Sequence, residues 1–154
     1  MLKNQVKQKF GKYPFIIHGY YHFVVDTYPT HSHGLNDKGW PEFMIDPACY
    51  GLDGNNSLIH AAYDYFKRPR KKKFLNRILN GKTIEIPIDK LWKRWNGTSY
   101  PICFRLVPNT FEAVKLAYGP GGMDVDPDLV VVQIYVKGDD FALTDEYYEG
   151  GITW

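Results

Sequence analysis

The spacing of hydrophobic positions changes several times along the 154-residue chain, and each change marks an element. Leu2, Val6 and Phe10 recur every four residues among Lys and Gln, which predicts a short N-terminal helix ending at Gly11. The stretch YPFIIHGYYHFVVDTY at 13–28 is β-branched and aromatic with Gly19 inside it, the pattern of a strand with a bulge, or of a hairpin. THSHGL reads as extended and NDKG as a turn; PEFMIDPACYG is a further short strand between Pro41 and Gly51.

Helical spacing then takes over. After a loop GLDGNN, Asn56 is placed to cap SLIHAAYDYF, whose Ile59, Ala62, Tyr63 and Phe66 share a face, and Pro69 ends it. Residues 71–80 form a second helix with Phe74, Leu75, Ile78 and Leu79 on one side and Gly81 as the terminating residue. KTIEIPI and SYPICFRLV read as strands, and Asn109 with Glu112 resembles a capping box opening the helix TFEAVKLAY. LVVVQIYV at 129–136 is apolar on both faces, which predicts a central strand covered on both sides. Strands and helices do not alternate strictly. The expected fold is therefore a single α+β domain, with a mixed or mostly antiparallel sheet and helices packed largely on one side.

Length and composition narrow the class. No run approaches the ~18 apolar residues of a membrane helix, and the N-terminus lacks a signal-like apolar core, so a soluble, cytoplasmic protein without a membrane partner is expected. Cys49 and Cys103 are the two cysteines; far apart and outside any C-x-x-C, they read as small buried hydrophobes in a reducing compartment. The net charge of +2 conceals an asymmetry: residues 67–94 hold eleven Lys and Arg against two acids, and 112–154 hold nine acids against two lysines. Such a dipole suits an anionic partner at one face, or a homo-oligomer joined head to tail.

The candidate chemistry gathers at YPTHSHGLNDKGWPEF, residues 28–43. His31 and His33, two apart on an extended segment, project to one face, and Glu42 returns to it after a tight turn. Gln133 stands alone in an apolar strand, needs a polar partner, and is expected beside THSHGL. His18 and His22 read as core or edge histidines, and His60 pairs with Asp64 one helical turn on. Asp124, Asp126 and Asp128 have the first spacing of a calcium loop but not its glycine or final glutamate, so they read as solvated carboxylates. KRPRKKK at 67–73 is the strongest charge signal, with Lys90, Lys93, Arg94, Trp92 and Trp95 as a basic and stacking continuation. No helix-turn-helix, zinc-finger or RNP-like motif is present, so sequence-specific nucleic-acid reading is not expected. Nor does a serine stand on a strand-to-helix elbow.

Ser32-His33-Gly34-Leu35, Pro41-Glu42-Phe43 and Gly51-Leu52 follow one another at a spacing that resembles the domain of unknown function 4262 family, whose "aYTxGL" segment is followed by "HPEL" and a strand ending near Gly-Leu. The similarity continues through ILNGKTIEI, YPICFRLV, Ala117 and Tyr118, and DLVVVQIYVKGDD with Gln133 in the family's glutamine position, and spans roughly residues 13–143. Residues 1–12 would then be an N-terminal helical extension. Trp40 replaces the histidine that usually precedes Pro-Glu, and His33 stands where the family often has a small or apolar residue. The resemblance implies a small stand-alone protein of bacteria or phages and a shared fold.

From these residues the leading expectation is a ligand-binding domain rather than an enzyme, with a pocket of Tyr28, His31, His33, Trp40, Glu42 and Gln133. Arg70 and Lys73 from the basic helix would complete an anion-friendly rim. Aromatics, imidazoles and cations together suit a nucleotide-like anionic small molecule, captured without a cofactor in a defence-related role of a phage or bacterium. The alternative is a hydrolase in which His31, His33 and Glu42 hold a divalent metal that activates water. A third reading is a protein-interaction module working through its opposed basic and acidic faces.

Overall fold

The computed structural model of the chain describes residues 13–18, 30–45, 51–119 and 125–137. The expected N-terminal helix, Tyr28, His22, Cys49, Asp124 and the rest of the 19–29 stretch lie outside the described residues. Six strands form one sheet: β1 (Ile16–His18), β2 (Thr30–His33), β3 (Glu42–Ile45), β4 (Ile84–Pro87), β5 (Pro101–Val107) and β6 (Val131–Val136). Their spatial order is β1-β2-β3-β6-β5-β4, with β3 and β6 parallel and every other neighbouring pair antiparallel. The apolar run at 131–136 thus becomes a central strand, as a segment without a polar face must.

Period-two alternation sorts side chains between two layers. Phe43, Ile45, Val132, Ile134, Ile102 and Phe104 face the main core, where α1 (Gly51–Lys67), α2 (Lys72–Leu79) and the single turn α3 (Ile88–Leu91) pack. Phe66 of α1 meets Phe104 edge-on at 5.1 Å and Phe43 at 6.1 Å, all three fully buried. Each such ring contributes ~1.5–3 kcal/mol by leaving water. On the opposite face α4 (Glu112–Tyr118) covers Met44, Val107 and Val131 with Ala113 and Val114. The fold is therefore α+β, and among the described residues three α-helices lie on one face of the sheet and one on the other. Among the described residues no helix is long and apolar enough to cross a membrane.

Two helix starts differ from the sequence expectation. α1 begins at Gly51, not after a loop, and Asn56 does not cap it. Gly51 and Gly54 lower helix propensity and made GLDGNN read as a loop, but Asn55 is buried in that first stretch and its amide donates to Thr30 Oγ1 of β2 at 3.4 Å. Asn109 likewise caps no helix: its amide donates to the carbonyls of Pro127 and Leu129 at 3.0 and 3.3 Å, tying down the approach to β6, and α4 starts behind Phe111. The other end of α2 follows expectation. Gly81, at φ 93°, donates to Ile78 O and Lys82 to Arg77 O, the paired bonds of a Schellman ending.

Candidate functional site

Strand register assembles the histidines. His18 lies opposite His31, His31 opposite Met44, Met44 opposite Gln133 and Gln133 opposite Arg105, so one row crosses five strands on the face that carries α4. His33, two residues on from His31, joins the same face. The rings of His18, His31 and His33 lie 4.6–5.7 Å apart, and Tyr118 of α4 sits 4.8 and 5.1 Å from His31 and His33. The Tyr118 hydroxyl donates to the Ser32 carbonyl at 2.9 Å. Burial, and secondarily the charge of Glu42, pushes this phenol well above its ordinary value. Burial, with His18 adding to it, holds His33 below the usual imidazole value.

Glu42 is committed to the chain itself. Its carboxylate accepts hydrogen bonds from Ser32 Oγ at 2.8 Å and from the backbone N–H groups of Gly34, Leu35 and Asn36 at 3.1, 3.3 and 3.1 Å. Gly34, at φ 106°, turns the backbone so that three consecutive amides point at one side chain. Burial raises the Glu42 pKa, and these four bonds oppose the rise. Asn36 completes the unit by exchanging hydrogen bonds with the backbone of Val130 at 3.0 and 3.1 Å, like one rung of a ladder. Its role was not foreseen from the sequence, although Asn in a Gly-Leu-Asn-Asp turn is a recognisable turn signal.

Beside this unit is a cleft of about 370 Å3 that includes His33, Glu42, Tyr118, Asp37, Asp126 and Asp128. Among the described residues no Lys or Arg lines it, and the carboxylates of Asp37, Glu42, Asp126 and Asp128 give those residues a negative rim. The expected pocket is thus brought together in part. His33 and Glu42 share the cleft; His31, 3% exposed, is packed behind it, and Gln133, 1% exposed, lies in the row beyond Met44 and does not line it. Trp40 turns to the other layer, its ring 4.8 Å from Tyr63 of α1. Arg70 and Lys73 are exposed at the α1–α2 junction, on the helical face opposite the histidines, and complete no rim there. Among the described residues, no group of three or more His, Cys, Asp or Glu is placed to hold a metal ion.

A second cleft, of about 630 Å3, opens on the helical face. One side is a stripe of α1, Ser57, His60, Ala61 and Asp64, at three- and four-residue steps, continued by Arg68 just past its end. The other side is Leu91, Trp92, Lys93 and Arg94, leaving α3. Tyr13 closes it: its ring stacks on His60 at 4.0 Å and 14°, and its hydroxyl donates to Asp64 Oδ2 at 2.7 Å. The phenol is raised by burial first, then by that bond and the Asp64 charge. The expected pairing of His60 with Asp64 is replaced by contacts of both with Tyr13. Among the described lining residues three cations, Arg68, Lys93 and Arg94, outnumber one carboxylate, Asp64, itself hydrogen-bonded, which makes the rim positive. Helical spacing on α1 was the available signal for this site; the arrival of Tyr13 from 44 positions before Ser57 was not readable from spacing.

No protein-family model, curated protein or solved structure matches the chain.

Proposed function

We propose that the chain is a binding protein for a ring-bearing anion of the nucleotide class, and that the ligand sits in the Tyr13–Trp92 cleft. The observation that carries this reading is the union, in one 630 Å3 space, of flat side chains (Tyr13, His60, Trp92) with Arg68, Lys93 and Arg94. Flat rings recognise a base by stacking, and the cations neutralise phosphates through charge-assisted hydrogen bonds. The volume lies within the ~300–1,000 Å3 of small-molecule sites. The His33–Glu42 cleft is less suited to an anion, because its carboxylates would repel one.

Membership of the domain of unknown function 4262 family belongs to the same proposal. It rests on the order and spacing of Ser32-His33-Gly34-Leu35, Pro41-Glu42-Phe43 and Gly51-Leu52 along the chain. A cytoplasmic setting, where nucleotides abound, accompanies the reading.

Calorimetric titration with ATP, adenosine and tripolyphosphate tests it. ATP should bind more tightly than either half, and Lys93→Ala with Arg94→Ala should weaken ATP by about 10- to 30-fold. Equal ATP affinity in that double variant, or no heat with any of the three, would remove the cleft as a nucleotide site.

A further inference from the structure

Seven Lys and Arg lie within the eleven residues 67–77, without an acid among them. All but Lys71 are exposed, and among the described residues none is in an ion pair. Four of them also lie over aromatic rings. Lys67 lies over the Tyr63 ring, Arg68 over Tyr65, Lys71 over Tyr65 and Phe74, and Lys73 over Phe74, at 5.3–5.6 Å. Their stems cover aromatic surface while the charged ends remain in water, which orders the cations before any partner arrives. α2 has no acid in its first turn, so the positive end of the helix adds to the crowding of Lys71, Lys72 and Lys73. This ridge is continuous with the cleft, because Arg68 belongs to both.

Resting on the nucleotide reading of that cleft, we infer that its ligand is the end of a single-stranded nucleic acid. One base lodges against Trp92 and the Tyr13–His60 stack, and the following phosphates run along Arg68, Arg70, Lys72 and Lys73. A ring-lined pocket takes an unstacked base, which a duplex does not offer. A membrane surface fits less well: in α2 Leu75 and Ile78 are buried in the core, Phe74 is half-buried beneath Lys71 and Lys73, and the exposed Leu79 is a single residue rather than an apolar face to insert. Contacts to phosphates and to any base face are indifferent to sequence, in keeping with the absence of a reading motif.

The test is fluorescence anisotropy with a labelled oligothymidylate of about twelve nucleotides, beside calorimetry with dTMP. The oligonucleotide should bind at least ~10-fold more tightly than dTMP and weaken steeply with salt. The exposed triple variant Arg70→Glu, Lys72→Glu, Lys73→Glu should lower oligonucleotide affinity by ~100-fold or more and flatten the salt slope by about 2, while dTMP affinity and the melting curve stay near those of the parent. Trp92→Ala should weaken both ligands. An oligonucleotide no tighter than dTMP, a triple variant without effect, an equally tight duplex, or preferential binding to phosphatidylserine vesicles would overturn the inference while dTMP binding kept the nucleotide reading intact. Loss of both ligands would sink the two together.

Discussion

The two clefts contain similar residue types and opposite physics. Each pairs a histidine with a tyrosine near a carboxylate: His33, Tyr118 and Glu42 on one face, His60, Tyr13 and Asp64 on the other. What separates them is what the polar groups are already doing. Glu42 receives four hydrogen bonds and holds a turn, whereas Asp64 accepts a hydrogen bond from Tyr13 and shares its cleft with Arg68, Lys93 and Arg94. A carboxylate saturated by backbone amides is a structural clasp, and its neighbours inherit a negative rim; a carboxylate outnumbered by cations leaves a positive one.

The sharpest way to break this contrast is to delete the clasp. Glu42→Ala removes the acceptor for three amides and one hydroxyl in a buried place, and should cost about 3 kcal/mol or more in a urea titration. Glu42→Gln keeps the shape but turns a donor toward donors, and should cost about 2 kcal/mol. Neither should change ATP affinity wherever the variant remains folded. A small stability loss together with lost ligand binding would place the ligand at the histidines instead.

The next effect is on the other cleft. Truncating Lys93 and Arg94, both exposed, should weaken ATP by about 1.4–2 kcal/mol and leave the unfolding midpoint within about 0.5 kcal/mol of the parent. Stability and binding would then respond separately to the two faces, as the geometry requires.

How much of this could be read beforehand differs between fold and site for a physical reason. Apolar periodicity is dictated by burial, so β6, the apolar face of α2 and the Gly81 ending were legible in the order of residues alone. The same-face placement of His31 and His33 followed from strand geometry. The partners of a polar side chain are a tertiary fact. Nothing local told that Glu42 would be spent on Gly34, Leu35 and Asn36, that Trp40 would turn to Tyr63, or that Tyr13 would bridge toward His60 and Asp64. Arg70 and Lys73 were joined to the histidines by charge reasoning, but charge pattern carries no information about which layer of a sheet a helix covers.

A smaller effect separates the faces by pH. The folded chain holds His33 below the 6.5 of an ordinary imidazole. Above that pH both folded and unfolded states are neutral here, and the group contributes no pH dependence. As pH falls through 6.5 the unfolded chain takes up a proton that the folded one resists, so stability declines toward the folded pKa. Because His33 is partly exposed, water screens the effect and the slope should stay well below the ~1.4 kcal/mol per pH unit of one full proton. Urea midpoints between pH 7.5 and 5 should slope less in His33→Asn. An unchanged slope would assign the dependence to other groups.

The smallest effect comes from one oxygen atom. Tyr13→Phe keeps the ring that stacks on His60 and removes only the hydroxyl bonded to Asp64. Stability should fall by about 0.5–1 kcal/mol, the net worth of a partly solvated hydrogen bond. The binding consequence has a definite sign. With its donor gone, the Asp64 carboxylate projects its full charge into the cleft and opposes an anion, so ATP should weaken by about 2- to 3-fold while adenosine, which carries no charge, should not change. Equal weakening of both ligands would mean that the hydroxyl touches the base rather than tempering the carboxylate, and the charge contrast between the two clefts would no longer rest on Asp64.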